Sequence, residues 1–163
     1  MVVNAILLND WSDTTSNLFI PGVQKTSDAY YYMFNATTEA GFEQLKAISA
    51  FLADHYSGKN ADYGKFLTGS LEMRSKISSG TIWLYGSYKL CKVYQQAFRI
   101  FYTAIKSTNA NDRVYFSLDY NWMNEIDGKL KYGGKEIVDS FNSIANVQGR
   151  WTGDWPTIRI PVP

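Results

Sequence analysis

The chain has 163 residues, enough for one domain with a real hydrophobic core. A formal net charge of +1 with no basic block gives no footprint for nucleic acid, and no apolar run is long enough to span a membrane. Cys91 is the single cysteine, which excludes an internal disulfide, and the 16% aromatic content suits either a large core or a surface on which sugar rings stack.

Residues 1–9 lack a basic start and a cleavage-like end, so no signal peptide is read there. Residues 2–8 (VVNAILL) read as a buried strand that ends in Asn9, Asp10 and Trp11. Residues 12–28 form a polar loop longer than an ordinary connection. Residues 29–35 (AYYYMFN) suit a short strand or a packed loop, and either Thr37 or Thr38 suits the cap of the helix that follows. That helix is predicted over residues 38–57, where Phe42, Leu45, Ile48, Leu52 and Tyr56 recur at three- and four-residue steps. His55, the one histidine, falls in its last turn, where a favourable dipole interaction accounts for it better than a metal does. Residues 60–86 fit neither the helical nor the strand period.

A second helix is predicted over residues 88–106, with Cys91, Tyr94, Phe98, Phe101 and Ile105 on one core-facing stripe and the thiol inert. The turn cluster STNAND leads into residues 113–122 (RVYFSLDYNW). Val114, Tyr115, Phe116 and Leu118 are bulky on both faces, the pattern of a strand covered on both sides. A third helix is predicted over residues 135–147, with Ile137, Phe141 and Ile144 on one side, and residues 150–163 suit no regular element.

Strand and helix alternate, which predicts βαβ units and a parallel sheet. In such sheets ligands bind beyond the carboxyl ends of the strands. Two strands end there in the same chemistry, an amide, a carboxylate and an indole: Asn9, Asp10 and Trp11, then Asn121, Asp119 and Trp122. This suits a small-molecule or sugar site. The competing reading has Asp119 start a turn and Trp122 cover the edge of the core. The chain has no Gly-rich phosphate loop, no G-x-S-x-G and no H-E-x-x-H, so neither a cofactor nor a metal is expected.

Several segments are familiar as wording: AILLNDW, YYMFNATTEAGFEQLKAISAFLADHYSG, YQQAFRIFYTAIKSTNANDRVYFSLDYNW and GGKEIVDSFNSIA. They resemble a bacterial family of glycoside-hydrolase-like (β/α)8 barrels of unknown function, itself similar to retaining glycosidases. The resemblance implies an α/β fold: a partial TIM-type (β/α) barrel in which parallel strands alternate with helices. One partial-barrel domain would occupy residues 1–163, because full barrels run to about 250 residues or more. It further implies a carbohydrate ligand and an extracytoplasmic location. Asn9, Asp10, Trp11, Asn35, Asp119 and Trp122 match family positions at strand ends, where they would hydrogen-bond sugar hydroxyls and stack on a ring. Asp119 would alternatively fix a neighbouring Arg or a loop amide. An open half-barrel would leave two bare sheet edges, which invites self-association.

The chain departs from the family in two blocks. The family's acid/base strand ends in a motif like Trp-Ile-Ile-Gly-Asn-Glu-Val, followed by Trp-Asn-Tyr-Met, and a later strand reads like Asp-Trp-Gly-Leu-Ala-Tyr-His-Pro-Tyr-Pro. Neither is present. Back-translation of residues 68–75 (TGSLEMRS), started one base earlier, permits the first motif, and residues 80–83 in that frame permit the second. The same shift over residues 151–161 permits the third. Local frameshifts in the coding sequence would explain the loss of both blocks; the alternative is a divergent sequence whose motifs have drifted away. Glu72 stands near the acid/base position but outside its motif, so that role does not pass to it. Retaining hydrolysis needs an acid/base and a nucleophile about 5–5.5 Å apart, and with neither in its motif context the polypeptide is expected to be catalytically inactive. The alternative is a non-catalytic carbohydrate-binding or structural α/β protein.

Overall fold

A computed structural model of the chain describes residues 3–27, 29, 31–57, 67–72, 86–117 and 132–152. Three strands, β1 (Val3–Leu7), β2 (Leu67–Glu72) and β3 (Arg113–Ser117), form one sheet in the order β1-β2-β3, with both pairs parallel. Three helices follow the strands in turn: α1 (Glu39–Ser57), α2 (Ser87–Thr108) and α3 (Gly134–Thr152). A 3-10 helix, Asp13–Leu18, lies between β1 and α1.

The partial TIM-type barrel expected from the resemblance is not what forms. The described residues are mostly helical, with helices of 19, 22 and 19 residues against strands of only 5, 6 and 5. A barrel strand needs its inner face filled by layers of bulky side chains. Here Ile6 and Tyr115, which share one cross-sheet row through Ser70, remain 53% and 46% exposed. The expectation that the strand of residues 113–122 is covered on both sides is corrected by the same observation. Among the described residues it is the other face, through Leu7 and Val114, that packs on the helical core. The strand β2 itself falls in the segment that fits neither period. Its sequence LTGSLE puts Gly69 and Ser70 at its centre, residues with little intrinsic strand preference.

The core is built chiefly from α2. Leu90, Cys91, Tyr94, Phe98, Phe101 and Ile105 are all buried along its inner side, joined by Ile137, Phe141 and Ile144 of α3. Two side chains one turn apart tie these helices in step. Cys91 Sγ lies 3.6 Å from the Ile137 carbonyl, and Gln95 Nε2 lies 3.5 Å from the Phe141 carbonyl. The buried stripe of α1 differs from the expected one: it runs Gly41, Leu45, Ser49, Ala53, Ser57. Small residues at four-residue spacing let α1 approach its neighbours closely, and Phe42 and Phe51 turn outward at 40% and 65% exposure.

Burial, with Glu136 as a second cause, pushes the Cys91 thiol from 9.0 up to about 12. The folded state therefore favours the protonated thiol. This contribution to stability is complete below pH 9 and is lost as pH rises through 12. Two results are expected. Iodoacetamide at pH 8 should label the native protein only as fast as it unfolds, while the denatured chain reacts at an ordinary thiol rate. Urea midpoints should fall between pH 9 and pH 12 more in the wild type than in Cys91→Ala.

Candidate functional site

The chain leaves β1 at its carboxyl end and enters a knot built from residues 9–20 and 31–41. Asn9 is buried, and its Nδ2 donates to the Leu18 carbonyl at 3.1 Å while its own carbonyl accepts from the Tyr32 N–H at 2.8 Å. The Leu18 carbonyl accepts a second bond, from the Asn35 N–H at 2.9 Å. Phe19 and Phe34 pair as an antiparallel bridge beside it. A loop with no regular ladder thereby satisfies its backbone groups through two asparagines.

Asn35 is the hub, with 1% of its surface exposed. Its Nδ2 donates to the Asn17 carbonyl at 2.9 Å and to Thr38 Oγ1 at 2.7 Å. Its Oδ1 accepts from the Thr37 N–H at 2.9 Å and the Thr37 hydroxyl at 2.8 Å. Both amide protons and both lone pairs of the side chain are thus engaged within the fold. Thr38, held by Asn35, caps α1: its Oγ1 accepts from the Gly41 N–H at 3.2 Å and its carbonyl from the Phe42 N–H at 2.9 Å. Glycine is required at 41 by close approach, because a Cβ there would stand 2.6 Å from the Asn35 carbonyl and 2.7 Å from that of Asn17.

Above this hub an aromatic triangle forms. Trp11 stacks on Phe19 with ring centroids 4.7 Å apart and planes inclined by 17°. Tyr32 meets both rings edge-on, at 5.2 Å from Trp11 and 5.6 Å from Phe19. The indole N–H donates to Asp13 Oδ1 at 2.8 Å, which fixes the ring in its plane. Phe19 and Tyr32 are buried, Trp11 is half-buried and Asp10 is exposed. Asp10 Oδ1 accepts from the Trp11 N–H at 2.7 Å.

Of the six residues expected to bind ligand, the structure gathers four around this knot: Asn9, Asp10, Trp11 and Asn35. Asn9 and Asn35 face inward and build it; Asp10 and Trp11 reach its surface. Asp119 and Trp122 lie outside the described residues. Sequence reasoning missed Asp13, Phe19 and Tyr32, the groups that hold Trp11 in place. Phe19 sits in a loop read as polar, and the aromatic run around Tyr32 gives no sign of which ring turns toward Trp11. The backbone of Glu72 closes β2 at the same sheet edge, where it pairs with Ser117. Among the described residues, no three His, Cys, Asp or Glu side chains stand together as a metal site.

One family model, described as a family of unknown function (DUF5722), matches residues 1–155. No curated protein and no solved structure matches the chain.

Proposed function

Because the chain belongs to the family of unknown function DUF5722, we propose its role from the site: a glycoside-hydrolase-like protein that binds a carbohydrate at Trp11 and Asp10 without cleaving it. The observation that carries this reading is the mounting of Trp11. One face of the indole rests on Phe19, Tyr32 packs against it at a steep angle, its N–H is held by Asp13, and the residue is still only partly buried. A fixed aromatic plate of this kind stacks on the apolar face of a sugar ring with little loss of side-chain freedom. The exposed Asp10 carboxylate beside it accepts hydrogen bonds from sugar hydroxyls. Asn9 and Asn35 contribute by holding the loop rather than by touching the ligand. The resemblance of AILLNDW and its companion segments to glycoside-hydrolase-like proteins supports the same ligand class.

Inactivity is part of the proposal and is supported by the lack of the motif that the resemblance leads one to expect. Hydrolysis with retention needs two carboxylates about 5–5.5 Å apart, and residues 67–84 do not carry the Asn-Glu pair of the family's acid/base strand. Calorimetric titration with a panel of neutral oligosaccharides tests the reading. One member is expected to bind the wild type with micromolar to millimolar affinity. Trp11→Ala should weaken it by about 1–3 kcal/mol, roughly 5- to 150-fold, and should also lower the unfolding midpoint, because the ring packs on Phe19 and Tyr32, while the variant still unfolds cooperatively. No reducing ends should appear during the incubation. Equal binding by Trp11→Ala would remove the site, and release of reducing sugar would remove the claim of inactivity. Sequencing the coding DNA across residues 67–91 and 150–163 then separates a true loss of the acid/base from a shifted reading frame.

A further inference from the structure

A groove of about 530 Å³ runs between α1 and α2 and reaches Ala36 of the knot, with none of Trp11, Phe19 and Tyr32 in its lining. We propose that it binds a small organic anion with an apolar body, such as an aromatic carboxylate. The shape comes from residue size. Ala50 on α1 and Ala104 on α2 leave the space, and Phe42 and Ile100 supply flat apolar walls. The volume lies within the range of small-molecule sites, roughly 300–1,000 Å³.

The charge comes from Lys46 and Arg99, one from each helix, and among the described residues no carboxylate lines the groove. Glu43 stands outside it and pairs with Lys46 at 3.3 Å, but both side chains are more than half exposed, so the pair is screened and easily exchanged. The α2 wall is basic, with Lys89, Lys92, Arg99 and Lys106 and no Asp or Glu, whereas α1 carries Glu39, Glu43 and Asp54 besides Lys46. Thr103 also lines the groove, while the Ser107 hydroxyl is already donated to the Ala104 carbonyl at 2.9 Å. Apolar walls bracketed by a lysine and an arginine match a ligand with one flat apolar part and one anionic end.

The test uses 2-naphthoate and its neutral analogue 2-naphthalenemethanol, titrated into the full chain and followed by amide NMR shifts. The anion is expected to shift signals of α1 and α2 at this groove and to bind about tenfold more tightly than the neutral probe. Lys46→Glu and Arg99→Glu should each weaken the anion by about tenfold and leave the neutral probe unchanged. Ala50→Trp, at an exposed position, should fill the groove and abolish both. Equal affinity for the two probes, indifference to charge reversal, or shifts that map elsewhere would overturn the proposal. So would absence of anion binding at millimolar concentration. If Ala50→Trp proves unfolded, the charge-reversal pair decides the matter alone.

Discussion

Replacing Asn35 with alanine is expected to destabilise the fold by about 3–4 kcal/mol, read as a fall in the urea midpoint at unchanged slope. Four hydrogen bonds leave with the amide, to Asn17, Thr38 and twice to Thr37. A neutral hydrogen bond contributes about 1 kcal/mol net, but a buried partner left unpaired costs more than the bond contributed. Asn17 and Thr37 are exposed residues whose freed groups regain water, so the loss is about that of the four bonds themselves. The loss also reaches α1, because the Thr38 cap is positioned by Asn35 Nδ2, and a lost cap costs about 1 kcal/mol. Asn35→Asp separates donor from acceptor. It keeps the bonds from Thr37 but places an oxygen against the Asn17 carbonyl, so it too should be destabilising. A wild-type midpoint for Asn35→Asp would show that the donor half of the network carries no weight.

Truncation of Phe101 to alanine is expected to cost about 3–5 kcal/mol. The ring is 1% exposed and sits mid-way along the buried side of α2, in the cluster that joins α3, α1 and the sheet. Its removal forfeits the transfer energy of a whole ring and leaves a void that neighbours held by their own helices fill poorly. Domain stabilities run to about 5–15 kcal/mol, so this variant loses a large part of the whole. Phe51→Ala is the control. That ring is 65% exposed on α1 and stacks on His55, and its loss should stay within about 0.5 kcal/mol. Similar midpoints for the two variants would mean that the core is not where the buried stripe of α2 puts it.

The legibility of the chain differs from helix to helix for physical reasons. On α2 the buried positions are large and apolar, so their three- and four-residue spacing announces the helix and its inner face together. On α1 the inner face is Ser49, Ala53 and Ser57 around Leu45. Hydrophobic periodicity cannot detect a stripe whose function is to be small, and it placed Phe42 inside instead. For β2, Gly69 and Ser70 have no strand preference of their own, and pairing with β1 and β3 on either side decides the conformation. The barrel expectation came from resemblance, and the exposed Ile6 and Tyr115 show what that inference left out: a strand is buried on two faces only when something covers both.

The site was legible in part for similar reasons. The polar ending Asn9, Asp10, Trp11 stands out after an apolar strand. Which of these residues would face inward did not, because that depends on contacts from distant residues: Leu18 for Asn9, and Phe19 and Tyr32 for Trp11. The same holds for Asn35, whose four bonds join segments that no local pattern links.

The most direct measurement is of the Trp11 indole N–H by proton–nitrogen NMR during an oligosaccharide titration. The chain has five tryptophans, and the indole signal missing from Trp11→Phe is the one to follow. A bound sugar should shift the Trp11 signal in a saturable way, with nuclear Overhauser contacts between sugar C–H protons and the indole ring. Saturable binding that leaves the Trp11 signal in place, or no binding across the panel by a cooperatively folded sample, would contradict the account.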